Sequence, residues 1–327
     1  MPKTNSPEQH LVNYLADVYS IEQQALAQLV TAPKIAGHPT LESAFREHLI
    51  ETEEQAELVR ERLEAHGGSP NRVRDAVMKL GGKGFLLFAR VQPDTPGKLT
   101  AHAYSYEALE WAAYEMLIRM AQRAGDLATV AAASAIRDQE RAMLDRLAHG
   151  FDAAVDASLA AAGGGDLDHK LRAYLADAHA LEAQSIQLLE RSDDIAGDPE
   201  LERIYREHVA ASREHARRVE ERLEALGGDS SALEDIALRA GGLNWGFFFQ
   251  AQHDTPGKLA AFVYAVEHLE IAGYELLARV ARRAGDQETV RLAEVILADE
   301  RAMAVRVARA FDRAFEASLA AQGVAVG

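Results

Sequence analysis

The sequence matches itself. From Tyr14 and Tyr174 onward its second half repeats the first at an offset of 160 positions without a gap. NYLAD answers AYLAD, AFREHL answers IYREHV, and RERLEAHGG answers EERLEALGG. Further on, QPDTPGKL answers QHDTPGKL and QERAML answers DERAMA. Repeats of this length make two domains, expected at 1–165 and 166–327, rather than a solenoid of short units. The run Gly163-Gly164-Gly165 has the composition of a flexible joint between them. Every reading of one copy can therefore be checked against the other.

Ala, Leu, Glu and Arg dominate, with only nine prolines, which favours helix. Each copy reads as four long helices. Helix A is expected from the capping signal Ser6-Pro7-Glu8-Gln9 to about Ala36-Gly37, and helix B from Pro39 to Ala65, stopped by Gly67-Gly68. Helix C opens at Thr95-Pro96 and ends near Gly125, and helix D follows the N-cap Asp126 toward Leu159. A to B and C to D turn tightly, so each pair is antiparallel. B to C takes about 30 residues, with a short helix expected at Asn71 to Leu80 and an apolar segment from Phe85 to Val91. A connection that long lets the chain cross the bundle, which is the ferritin-like variant of the four-helix bundle. The expected fold is all-α: two such bundles fused head to tail.

The apolar stripes of these helices carry carboxylates where the pattern asks for Leu or Val. On helix C, Ala103, Tyr106, Ala113, Tyr114, Leu117 and Ala121 form one face, and Glu107 and Glu110 sit in its middle. Glu267 and Glu270 repeat them. Glu22 lies on helix A's stripe and Glu140 on helix D's, with Glu182 and Glu300 as their counterparts. Burying a bare carboxylate costs several kcal/mol or more, so these groups must be paired, protonated or bound to a cation. On helix B, at about 100° per residue, His48 and Gln55 flank the core position Thr52 and Glu51 lies at the stripe's edge, while Glu54 faces solvent. In the second copy His208 keeps its place, Ala211 replaces Glu51, and His215 replaces Gln55. That copy has lost one carboxylate and gained an imidazole, a further candidate ligand.

Five carboxylates and a histidine suit Fe or Mn, with glutamates able to bridge two ions. Ca²⁺ prefers loop carbonyls, and Zn²⁺ prefers more nitrogen or sulfur. The absence of cysteine excludes disulfides, thiolate sites and cysteine nucleophiles. A net charge of −16 argues against nucleic acid and anionic membrane surfaces as partners. The opening MPKTNSPEQH has no apolar run and no 18-residue apolar span occurs, so a cytoplasmic protein without a membrane partner is expected.

Taken together, DVYSIEQQ, FREHLIETEEQ, VEHLEIAGYELL and DERAM resemble the YciF-type ferritin-like family, rubrerythrin-related proteins linked to bacterial stress responses. The resemblance covers both copies nearly end to end. It implies ligands at Glu22, His48, Glu51, Glu107, Glu110 and Glu140, and at Glu182, His208, Glu267, Glu270 and Glu300. Met143 and Met303 stand where the wider ferritin-like group carries a helix D histidine, and Glu54 and Glu214 where it carries one on helix B. These departures differ from the ligand pattern of a standard ferroxidase or oxygenase centre.

The functional expectation is a carboxylate-bridged Fe or Mn protein acting on O₂, peroxide or Fe²⁺, as a ferroxidase, catalase-like enzyme or oxygenase. Its centre is dinuclear in the first copy and, because of Ala211, incomplete in the second. The competing reading is a helical scaffold or stress-protein partner. Its glutamates would be hydrogen-bonded to groups such as Tyr104, Tyr114, Arg119 or Arg137, and His48 and His208 would be satisfied core histidines. His102, replaced by Phe262, reads as packing, as does Trp111, replaced by Ile271; Phe247 to Phe249 read as a cover for bundle ends or the domain seam. The two copies are expected to pair as a pseudo-dimer, with further homo-oligomers open.

Overall fold

The computed structural model describes residues 6–70, 95–161, 166–190, 192, 195–228 and 255–323. The expected short helix at 71–80 and the segments 85–91, 163–165 and 247–249 lie outside them. The described residues are helical with no strand. They separate into two compact units, one per repeat.

The first unit contains α1 (Pro7–Leu29), α2 (Ala32–Ile35), α3 (Pro39–Ala65), α4 (Thr95–Ala124), α5 (Leu127–His149) and α6 (Phe151–Ala161). The second contains α7 (Leu167–Leu189), α8 (Pro199–Ala225), α9 (Thr255–Ala284), α10 (Gln287–Arg309) and α11 (Phe311–Ala321). In the first, α1 packs on α3 and α4, and α5 packs on the same two, so α3 and α4 stand diagonally across a four-helix ring. The second unit repeats this ring with α7, α8, α9 and α10. A diagonal step from the second to the third long helix is what the long connection allows. The bundle is ferritin-like in both copies.

Local chemistry sets the ends. Gly67 adopts φ +72° after α3, and the Gly67 and Gly68 amides donate to Glu64 and Leu63 carbonyls at 2.9 and 3.0 Å. This paired closure needs a left-handed residue, which glycine supplies without a Cβ clash. Asp126 caps α5 by accepting from the Ala128 and Thr129 amides, and Arg62 of α3 reaches the same carboxylate at 2.8 Å. Ser6, by contrast, makes no side-chain cap bond to α1.

Two helices are shorter than expected. Helix A breaks after Leu29 and resumes as α2 instead of running on to Ala36. Helix D breaks at Gly150 instead of continuing to Leu159, and α6 folds back against α4. A Cβ on Gly150 would lie 2.7 Å from Leu41 Cδ2, so α3 approaches the break closely. Ala310 occupies the same break in the second unit, so the turn itself does not demand glycine. The folded-back helix has a task. Ser158 Oγ accepts the Gly97 amide at 2.9 Å, and Ser318 Oγ accepts that of Gly257 at 2.7 Å. Each satisfies an amide in the first turn of the helix that carries two core glutamates.

Leu11, Leu15, Phe45, Leu63, Leu117, Met120 and Phe151 are buried almost completely in the first unit. Each such side chain contributes about 1.5–3 kcal/mol relative to exposure. That apolar shell is the surplus against which buried charge can be carried.

Candidate metal centre

In the first unit the apolar faces of three helices deliver charged groups to one point, with a fourth helix beside them. His48 of α3, Glu107 and Glu110 of α4 and Glu140 of α5 each offer a ligand atom within 4.8 Å of the others, and all four are buried. Glu107 and Glu110 share a face because they are three residues apart. His48 Nε2 lies 2.9 Å from Glu107 Oε2 and 3.6 Å from Glu140 Oε2. Glu22 of α1 is fully buried beside them and accepts a short bond from the Tyr114 hydroxyl. Its oxygens are not within the group of four.

Glu51 is not in that group of four. It is half-buried, behind the histidine: Glu51 Oε2 is 3.0 Å from His48 Nδ1 and is held at 2.5 Å by Arg146. A carboxylate bonded to one ring nitrogen turns the other toward the site, the usual outer support of a metal-ligating histidine. Glu54 is exposed, as its angle implied.

The partners proposed for a purely hydrogen-bonded network mostly point away. Arg119 and Arg137 both bind Glu115, at 2.6 and 2.9 Å, and Tyr104 packs edge-on against Phe151. Tyr114 donates to Glu22, beside the group of four. Both oxygens of Glu110 and of Glu140, with Oε2 of Glu22 and of Glu107, have no hydrogen-bond partner although buried. Such atoms are rare without a proton or a cation to satisfy them.

Electrostatics agree. Burial raises Glu22 to about 8, against the pull of Tyr114 and His48. Burial and then the neighbouring charges of Glu22 and Glu107 hold Glu110 well above the usual carboxylate range; burial with Glu110 and Glu107 does the same to Glu140. Burial would depress His48, but the charge of Glu107 2.9 Å away and the bond to Glu51 outweigh it and raise it to about 9. Glu51 drops to about 2, chiefly through its bond to His48.

The second unit gathers the counterparts differently. His208, Glu267, Glu270 and Glu300 form one buried group, and Glu182, His215 and Glu300 form another that shares Glu300. His208 Nε2 is 3.1 Å from Glu267, 3.8 Å from Glu270 and 3.9 Å from Glu300. With Ala211 there is no carboxylate behind His208, and Arg306 binds Glu207 instead at 2.5 Å. Burial then lowers the His208 pKa. His215 has moved in: its Nδ1 is 2.8 Å from Glu300 and 3.5 Å from Glu182, and its Nε2 is 3.3 Å from Asp299. In the first unit that pair is Gln55 and Gln139, bonded at 3.1 Å. Sequence reasoning passed over Asp299 and Gln139; comparing the copies for two substitutions made together would have found them.

Beside Glu107 lies a cavity of about 20 Å³, lined among others by Ala25, Gln28, His102, Ala103 and Tyr106. His102 bonds Gln28 at 3.0 Å, and burial lowers it to about 4, so it is neutral. Phe262, Val263 and Leu188 replace His102, Ala103 and Gln28 in the second copy and are buried.

Two four-helix rings with inward glutamates and histidines define a tandem ferritin-like protein whose core clusters can hold metal ions. The chain belongs to the family described as Domain of unknown function (DUF892), whose model matches residues 6–160 and again 166–320. That family is ferritin-like. No solved structure matches the chain. No described helix is long and apolar enough to cross a membrane.

Proposed function

We propose that the chain is a carboxylate-bridged metal protein, with a dinuclear Fe or Mn centre in its first copy, that acts on O₂, peroxide or Fe²⁺. The observation that carries this is the convergence of His48, Glu107, Glu110 and Glu140 within 4.8 Å, buried, with most carboxylate oxygens unpartnered. Protonation alone would have to neutralise several adjacent acids; divalent cations neutralise them together and use the free lone pairs. Hard oxygen donors with few imidazoles favour Mn²⁺ and Fe²⁺ over softer ions. The residues then have separate tasks. Glu107, Glu110, Glu140 and His48 hold metal, Glu22 lies beside them with Tyr114 restraining one oxygen, and Glu51 with Arg146 orients His48. The bound metal would supply the redox chemistry, and the apolar bundle limits water. The resemblance to YciF-type proteins supports a part in a bacterial stress response.

Metal content per chain, measured by mass spectrometry after expression with iron or manganese, tests the reading. Near four ions, lost by halves in Glu107→Ala and Glu267→Ala, would fit two dinuclear centres; about two, sensitive only to Glu107, would restrict the centre to the first copy. No metal in any preparation would leave the scaffold reading in its place.

A further inference from the structure

The geometry points to a second-copy site of different metal preference, in which His215 is a ligand through Nδ1 and Asp299 is the positioning residue that holds its Nε2–H. This rests on the metal-binding reading above and extends it to selectivity. His215 is 3% exposed, and its Nδ1 and Glu300 Oε1 are 2.8 Å apart yet not aligned as a hydrogen bond. Oε2 of Glu182 and both oxygens of Glu300 also lack hydrogen-bond partners. A nitrogen lone pair and several carboxylate oxygens therefore face one volume. Without a metal ion the arrangement needs a proton on Nδ1, where Glu182 and Glu300 hold an imidazolium; a metal ion would take that proton's place between them.

The outer carboxylate fits this role. Asp299 Oδ2 lies 3.3 Å from Nε2, on the opposite side of the ring, so a proton kept there leaves Nδ1 free to ligate. In the first copy Gln55 and Gln139 bond each other, and neither can present an imidazole. The two copies thus carry their oriented histidine in different places: His48 with Glu51 in one, His215 with Asp299 in the other. The second centre offers two imidazoles, His208 and His215, and lacks the Glu51 counterpart. Additional nitrogen shifts preference from Mn²⁺ toward Co²⁺, Ni²⁺ and Zn²⁺.

The test uses the full chain with one centre disabled at a time, by Glu107→Gln with Glu110→Gln or by Glu267→Gln with Glu270→Gln. Competition between Co²⁺ and Mn²⁺ is followed by metal content and by the visible spectrum of bound Co²⁺. The second centre should favour Co²⁺ over Mn²⁺ at least tenfold more than the first does. His215→Gln with Asp299→Gln should erase that difference, and Asp299→Asn alone should weaken Co²⁺ binding ten- to hundredfold, the usual reach of an outer partner. The reciprocal change, Gln55→His with Gln139→Asp, should raise the first centre's Co²⁺ preference, which covers failure of the first variant to fold. Equal preference in the two centres, or Co²⁺ binding unmoved by His215→Gln, overturns the inference while leaving the metal reading intact. Metal in the first centre and none in the second overturns it too, making His215 an internal imidazolium. No metal in either centre removes the underlying reading and this one together.

Discussion

The two copies share a backbone plan but not a way of carrying charge. In the first, one imidazole is braced from behind by Glu51 and Arg146 and faces the carboxylates with Nε2. In the second, the brace is gone and Arg306 has turned to Glu207. A different histidine, about two turns further along α8, approaches Glu300 and Glu182 there. The tyrosine that restrains the first helix's glutamate is kept in both, Tyr114 on Glu22 and Tyr274 on Glu182. What persists is the set of inward glutamates; what drifts is the imidazole and its support. A repeat inside one chain is a controlled comparison, because composition and helix frame are held nearly constant while the centre varies.

The largest effects should come from the glutamates common to both. Glu110→Gln removes a buried acid whose charge is opposed by burial and by Glu22 and Glu107. Without metal the variant should melt higher than the parent, by several degrees for about 1–2 kcal/mol in a domain of this size. With metal the order should reverse, because the first centre no longer binds. Parallel melts with and without chelator check both signs. A variant less stable than the parent in both conditions would show that Glu110 serves packing and not a cation. Glu270→Gln should behave alike in the second copy.

Next in size is the brace. Glu51→Ala should weaken metal binding in the first copy ten- to hundredfold and leave the second untouched, since Ala211 already stands there. Ala211→Glu is the mirror experiment: a carboxylate behind His208 should draw Arg306 from Glu207 and tighten the second centre. If both changes move affinity by less than threefold, the partly exposed pair of Glu51 and Arg146 contributes little to the orientation of His48.

Much of this was legible in the residues. The 3.6-residue stripes placed Glu107, Glu110, Glu140 and Glu22 inward, and the angle of Glu54 placed it outward, as the helices have them. Periodicity reports which face a residue is on. It does not report how far along that face a side chain reaches, so the place of Glu51 at the stripe's edge did not reveal its bonds to His48 and Arg146. Nor does it register breaks such as Leu29 to Ala32 or Gly150, which helix-favouring residues flank on both sides; at Gly150 the close neighbour is Leu41 of α3. Asp299 was invisible alone, being one of three exposed acids on α10; its meaning comes only with His215 across from it.

The pH dependence separates charge burial from metal binding. Glu22 and Glu182 titrate in the folded protein at about 8 and about 7, above the ordinary 4.5, with burial as the first cause. A folded pKa above the unfolded one gives stability that is full below about 4.5 and fades as pH rises through the folded value. Without metal, these sites should therefore lose stability between about pH 5 and 8. Metal needs the ionised acids and displaces their protons, so its stabilisation should grow over the same interval. The gap between melting temperatures with and without metal should widen from pH 5 to pH 8; a constant gap would mean that the metal sits away from these acids.

The smallest effect concerns access, and it sharpens the comparison most finely. The cavity beside Glu107 is bordered by Ala103, and Val263 fills the matching place in the second copy. At about 20 Å³ it has room for roughly one water, and two added methyl groups would close it. A small ion or oxidant arriving by this side would have to pass Gln28 and His102, polar groups that the second copy replaces with Leu188 and Phe262. Ala103→Val should then slow metal loading of the first copy a few-fold while leaving the final occupancy unchanged, since no ligand is touched. Stopped-flow loading of the chain with its second centre disabled reads this directly. An unchanged loading rate would place the approach to Glu107 elsewhere in the bundle, and lowered occupancy would instead mean that the added methyl groups displace the carboxylate itself.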